Sequence, residues 1–365
     1  MATVLRRGTK LVFILACALT PMATAITPAS AGPAKPTCDR LPAGPNSITS
    51  GPDGALWYTY PGGIGRVTTS GGVRVYPTAG HQPELITSGA DGALWFTEVG
   101  GVGRIDVTGS VSHYQPTVAR EINCTDGIAL GTDGRVWFTE KDDGLLGRVD
   151  TAGAIDFFAI PPTVYSVCDI NDLVCLVYPV TAKPVGIVGD PSGGMFFTNL
   201  ADESVDHVKK NGVVNAWNPI FSETVGDGFG EGAPSLVGGL ASWGGSPAAA
   251  YDGNGCPSPA PNHCLAFYNS STKRFVTSNL PARDYFTGRG FGKYMVQGAD
   301  GRLWATAVGA IGAVAGDGAS SSIAIGGTAE EITAGPDGRL WFAESSPHRI
   351  GAITTSGVVT EYAVP

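Results

Sequence analysis

The apolar positions of this chain come in short runs set between polar turns, and the same order of runs keeps returning. In its clearest form the unit reads "ELITSG", then Ala90-Asp91-Gly92, then "ALWFTE", then "GVGRI". An apolar run opens it. An x-Asp-Gly or x-Ser-Gly turn follows, in which glycine supplies the positive φ of a tight hairpin. The aromatic run after the turn suits a pleated, half-buried strand. A "GRV" or "GRI" run and a last run such as "VRVYP" or "VTEYAVP" complete the unit. Each unit therefore predicts four short antiparallel strands.

Six units are plain, with first strands opening at Asn46, Glu84, Asp126, Val185, Lys293 and Glu330. Between about residues 235 and 281 lies a degenerate unit, opening at Ser235. Its strands are "SLVGGL", "SPAAAYD", "CLAFYN" and "RFVTSNLP". Seven such units predict an all-β fold, a seven-bladed β-propeller of four-stranded antiparallel blades. Blades packed face to face bury the aromatic of each second strand, so Trp57, Trp95, Trp137, Trp304 and Trp341 are expected in the core. Two segments compete to complete the last blade and close the ring: "TCDRLP" near residue 40 and "VTEYAVP" at the end.

The first 31 residues stand outside this pattern. Arg6, Arg7 and Lys10 precede the apolar run "LVFILACAL", and small-residue sites end at Ala25 and Ala31. This is the pattern of a signal peptide cleaved after one of those alanines. The expected mature chain, residues 32–365, is a single propeller that is secreted. No later segment is long and apolar enough to cross a bilayer as a helix. Losing three positive charges moves the formal net charge from −9 to about −12. Such an acidic surface repels phosphate backbones and argues against nucleic acid as a partner. The 53 glycines and only 15% charged residues fit a turn-rich fold. Six cysteines remain: Cys38, Cys124, Cys168, Cys175, Cys256 and Cys264. An even number in an exported chain suggests disulfides. Proximity favours Cys168–Cys175 and Cys256–Cys264, leaving Cys38–Cys124 by elimination.

Alternating strand direction sorts the loops. Connections between units share one face with the loops joining second and third strands, and the Asp-Gly hairpins lie on the other. Insertions at 161–184, 219–234, 254–264 and 281–292 all fall on the first face, as do all six cysteines. Long loops on a rigid scaffold are where binding resides. The first-strand starts of adjacent units bring Glu330, Asn46, Glu84 and Asp126 to one arc of that face. Three carboxylates and an amide are hard oxygen donors, suited to Mg²⁺ or Ca²⁺. Glu98, Glu140 and Glu344, at second-strand ends, would form an outer shell, with His81 leaning over the mouth.

The phrase "ITxGPDGxLWFTE…IGRI" resembles the virginiamycin B lyase (streptogramin lyase) family. The resemblance runs through nearly all of the mature chain. It is strong in units one, two, three and seven, weaker in four and six, and poor in five. It implies a seven-bladed propeller that opens a cyclic depsipeptide by elimination at an ester with Mg²⁺ assistance. It also implies a histidine opening the sixth blade and Glu-Pro-His opening the seventh. Here Lys293 takes the first position and Thr328-Ala329-Glu330 the second. His348 lies in a loop of unit seven on the same face, and His113, His207 and His263 have no motif around them.

Two functions therefore compete. One is a non-catalytic, monomeric binding propeller for a small-molecule or cell-envelope ligand. The other is a metal-dependent lyase or lactone hydrolase with a rebuilt site. In that site Glu84, Asp126 or Glu330 would act as base and Lys293 would stabilise developing negative charge.

Overall fold

The computed structural model describes residues 43–365 except 119–121, 123–124, 170–173, 203, 216–234, 254–263, 270–273, 282–294 and 318. The leader, Cys38, Cys124, Cys256, His263, Lys293 and most of three predicted insertions lie outside the described residues. Among the described residues every regular element is a strand, and consecutive strands pair antiparallel. The first unit is β1 to β4 (Ile48–Ser50, Leu56–Tyr60, Gly63–Val67, Val73–Pro77). The second is β5 to β8 (Pro83–Ser88, Leu94–Glu98, Gly101–Ile105, Val111–Tyr114). The third is β9 to β12 (Thr125–Leu130, Val136–Glu140, Leu145–Val149, Ile155–Ala159). The insertion after it folds as a hairpin, β13 and β14 (Thr163–Asp169, Val174–Val180), whose register sets Cys168 opposite Cys175. The fourth unit is β15 to β18 (Pro184–Gly189, Met195–Asn199, Ser204–Val208, Val214–Asn215). The degenerate fifth is a true four-stranded sheet, β19 to β22 (Ser235–Trp243, Ser246–Gly253, Cys264–Asn269, Arg274–Pro281).

The last two units share one six-stranded sheet, β23 to β28 (Met295–Gln297, Leu303–Val314, Ser320–Ala334, Leu340–Ser346, His348–Ile353, Val359–Ala363). Two strands in it do double work. β24 pairs with β23 through Leu303–Ala305 and with β25 through Ala310–Val314. β25 pairs with β24 near its start and with β26 near its end, so it holds the last strand of unit six and the first of unit seven. "VTEYAVP" forms the outer strand of unit seven. First strands touch in the cyclic order β1, β5, β9, β15, β19, β23, β25 and back to β1, which closes a ring of seven units.

The tryptophans explain why the units stack. All five are 0–1% exposed. Each packs on the following unit: Trp57 on Leu94 and Phe96, Trp95 on Val136 and Phe138, Trp137 on Met195 and Phe197, Trp304 on Leu340 and Phe342. Trp341 of the last unit packs on Leu56, Tyr58 and Val67 of the first.

The Asp-Gly turn does more than reverse the chain. In units one and two the carboxylate accepts from the indole N–H of the tryptophan four residues on, Asp53 to Trp57 at 3.0 Å and Asp91 to Trp95 at 3.1 Å. Its second oxygen accepts from an arginine of the "GRV" or "GRI" run, Arg66 at 2.6 Å and Arg104 at 2.7 Å. In units six and seven that arginine comes from another place, two residues after the aspartate, as Arg302 and Arg339, each at 2.7 Å. Either route sets a guanidinium over the buried indole, 4.5 Å from the ring in Trp341. Burial alone would raise these carboxyls. The hydrogen bonds from tryptophan and arginine outweigh it and hold Asp53, Asp91, Asp300 and Asp337 below the ordinary value. Unit four keeps the logic with other residues: Asp190 pairs with His207 at 2.9 Å, and His207 stands where units one to three carry Arg66, Arg104 and Arg148.

The guanidinium also reaches forward. Arg148 donates to Lys210 O in the next unit, and Arg302 to Thr355 O. Arg339 donates to Thr69 O across the seam, at 2.6 Å. Ile48 N and Ser50 Oγ of β1 add bonds to Glu331 Oε2 and Ala334 O of β25.

Candidate functional site

Five of the second strands carry a threonine in the phrase "WFTE" or its variants, at Thr59, Thr97, Thr139, Thr198 and Thr306, and the ring explains it. Thr59 Oγ1 donates to Glu84 O at 2.8 Å, and Thr139 Oγ1 to Val185 O at 2.9 Å. Both acceptors are the backbone where the next unit's first strand opens. In the second unit Thr97 meets the Thr125 hydroxyl at 2.8 Å, and Thr125 donates to Glu84 Oε2 at 2.5 Å. Asn46 Nδ2 joins the same chain by donating to Glu84 O at 2.8 Å. Asn46 and the Glu84 backbone thus meet within a network that ties three units to one another.

The rest of the predicted acidic arc spreads over separate partners. Asp126 lies 3.4 Å from Lys141 Nζ. Glu330 accepts from Ser345 Oγ within its own unit. Among the described residues, three metal-ligating side chains whose donor atoms all lie within 4.8 Å of one another occur at His81, Glu98 and His113, and Glu84, Asp126 and Glu330 make no such group. Strand alternation is the cause. Neighbouring residues on a strand point to opposite faces. Glu331, one position past Glu330, is the acid that reaches β1 and lines the axis.

The axis holds a cavity of about 360 Å³ walled by β9, β15, β19, β23 and β25. Ile128, Ile187, Leu240, Met295 and Ile332 line it together with the polar side chains of Ser242, Gln297 and Glu331.

His81, Glu98 and His113 sit toward the face where unit-to-unit connections emerge. A tight turn fixes His81: its N–H donates to Thr78 O at 3.0 Å, and the Thr78 hydroxyl donates to His81 O at 2.5 Å. Ala79 and Gly80 adopt φ of 52° and 93° there, a turn that the small residues between Thr78 and His81 permit. Glu98 ends β6 and is 2% exposed. His113 stands on β8. Its Nδ1 is 2.9 Å from Glu98 Oε1, and His81 Nδ1 is 3.1 Å from the same oxygen. The two imidazoles stack with centroids 3.7 Å apart and planes 15° from parallel. Sequence reasoning named His81 and Glu98 and passed over His113. The signal was available: a histidine in a fourth strand, beside an acid ending the second strand of the same unit.

Glu140 and Glu344 occupy the position of Glu98 in their own units and are buried, at 1% and 0% exposed. Neither oxygen of Glu344 has a hydrogen-bond partner among the described residues. Burial, and next the charge of Glu361, push its carboxyl up to about 7, with Arg349 opposing. The unfolded chain releases this proton near the ordinary value of 4.5, so between 4.5 and about 7 the folded state binds more protons than the unfolded. Stability therefore falls as pH rises through that window and levels above it. Glu344→Gln is expected to gain in unfolding midpoint relative to the unsubstituted protein on going from about pH 5 to about pH 8. Thermal unfolding followed by circular dichroism at both values measures it; an equal difference at the two would contradict it.

Comparison with known proteins agrees with this architecture. A profile of the Virginiamycin B lyase family matches residues 34–172. No curated protein matches the chain significantly. Among solved structures, virginiamycin B lyase from Staphylococcus aureus is similar at 20% identity and a TM-score of 0.44, over 88% of this chain and 85% of that one. The extracellular domain of a putative hybrid two component system from B. thetaiotaomicron is similar at 12% identity and a TM-score of 0.52, over 88% of this chain and 46% of that one. A chain of a mitotic checkpoint complex is similar at 11% identity and a TM-score of 0.51, over 95% of this chain and 99% of that one. At such identities the likeness is one of fold.

Proposed function

We propose that this chain is an exported, ligand-binding propeller that does not carry out the ring-opening elimination its resemblance to virginiamycin B lyases implies. One observation carries the reading. The stretch in the place of Glu-Pro-His, Thr328-Ala329-Glu330, is continuous strand. Thr328 pairs with Val308 on one side and Ser346 on the other, and the Glu330 carboxylate accepts from Ser345 Oγ. Elimination needs a base whose lone pair faces the substrate proton. Here the stretch carries no histidine, Thr328 is paired on both edges, and its one carboxylate already accepts from Ser345. The hairpin β13–β14, ordered chain beyond what a blade needs, supports binding on the face of the connections. Export follows from the positively charged, apolar opening of the chain. The ligand is a small molecule or a cell-envelope component.

The test is incubation of the mature protein with a streptogramin B cyclic depsipeptide, in Mg²⁺ and in EDTA, with the linear product read by mass spectrometry. The expected result is no product above a protein-free blank. Mg²⁺-dependent linearisation would overturn the reading.

A further inference from the structure

We propose that His81, Glu98 and His113 form a binding site for a divalent transition-metal ion of the zinc type. Three separate chain segments bring the donors together: the turn after β4, the end of β6, and β8. Both imidazole Nδ1 atoms lie within 3.1 Å of one oxygen, Glu98 Oε1. A hydrogen bond from either ring to this oxygen needs a proton on its Nδ1. Moving that proton to the outer nitrogen, a change of tautomer, frees an Nδ1 lone pair beside the carboxylate. The lone pairs lie in the ring planes, so the near-parallel rings must rotate out of their stack to converge on one ion. Metal bonds of about 2.0–2.1 Å at tetrahedral angles hold donors roughly 3.3–3.4 Å apart. The present separations of 2.9 and 3.1 Å need to open by only a few tenths of an ångström.

The backbone that carries the donors is held in advance. The Thr78–His81 turn fixes the first histidine, His113 stands within the β7–β8 pairing, and the edge of Phe96 meets its ring. Sites on rigid elements lose little on binding. The carboxylate is 2% exposed while the histidines are 37% and 26% exposed, so the open side of the site faces solvent. Three protein ligands with one open position is the pattern of zinc sites that take water or a ligand as the fourth. Two nitrogens and one oxygen select against Mg²⁺ and Ca²⁺, which prefer all-oxygen shells. The site is distinct from the oxygen-rich arc around Glu84, and it stands whether or not the chain is a lyase.

The test is titration of metal-free protein with Zn²⁺ against a chromophoric chelator, together with the visible spectrum of the Co²⁺ form. The expected result is one ion per chain, Co²⁺ bands of four-coordinate intensity, and no displacement by excess Mg²⁺. His81→Ala/His113→Ala should lose the binding and the bands. Glu98→Gln, which keeps the side chain's shape, should weaken affinity about tenfold or more. His81 is on the surface, so His81→Ala alone gives a folded comparison and should also weaken Zn²⁺ at least about tenfold. Absence of binding in the unsubstituted protein, displacement by Mg²⁺, or affinity unchanged in the folded His81→Ala protein would each overturn the proposal.

Discussion

Replacing Trp341 by alanine should cost about 3–5 kcal/mol of stability, the range for removing a fully buried large aromatic. The indole is 0% exposed and stacks on Tyr362 with centroids 5.5 Å apart. It packs on Leu56, Tyr58 and Val67, so the void opens at the seam between the last unit and the first. Two further groups lose their partner. Asp337 Oδ1 no longer receives the indole N–H at 3.0 Å, and the Arg339 guanidinium loses the ring 4.5 Å beneath it. Those losses put the change in the upper part of the range. Trp341→Phe keeps part of the stack and should cost less than half as much. Urea unfolding followed by circular dichroism gives the number. The midpoint should fall with the slope unchanged if the ring still unfolds as one unit. A loss under about 1 kcal/mol would mean the seam does not depend on this side chain.

A single methyl group added at Gly103 should cost about 1–3 kcal/mol, the range for forcing extra volume into a packed core. Gly103 lies directly across from Phe96 in the β6–β7 register. A Cβ there would stand 2.0 Å from Phe96 Cζ and 2.1 Å from Cε2, inside the ring's own volume. The ring cannot retreat, because Phe96 is 0% exposed and wedged between units one and two. The same aromatic-over-glycine pair recurs as Tyr58 on Gly65, Phe138 on Gly147 and Phe342 on Gly351. This is why the "GRV" run begins with glycine. Gly103→Ala combined with Phe96→Leu should recover part of the loss, since the smaller side chain vacates the space above the methyl. Gly92→Ala is the useful contrast: nothing lies within 4 Å of its Cβ, and only its φ of 73° resists the change. Gly103 has no positive φ, so a Gly103→Ala cost no greater than that of Gly92→Ala would show that crowding by Phe96 does not fix Gly103.

The strand order was legible because each strand has its own chemical signature. Short apolar runs, Asp-Gly or Ser-Gly turns and the aromatic second strand located six units. Even the degenerate one has the four strands read from "SLVGGL", "SPAAAYD", "CLAFYN" and "RFVTSNLP". The site was less legible, for a geometric reason. Which of Glu330 and Glu331 lines the axis depends on one residue of register, and a slip of one exchanges the faces. The pairing of Glu98 with His113 depends on two strands that are neighbours neither in sequence nor in the sheet. The arginine that serves each tryptophan can arrive from Asp+2 or from the third strand, so no single motif records it. Such contacts belong to the ring and to no one unit.

The forward reach of the arginines carries a last implication. Arg148, Arg302 and Arg339 each grasp a backbone carbonyl in the unit ahead, and the third of these grasps unit one from unit seven. The joint between the seventh unit and the first is therefore built like those after units three and six, head to tail, as in a cyclic assembly of subunits. Joining the old termini and opening the chain between two other blades would leave the same circle of contacts, with only the covalent break relocated.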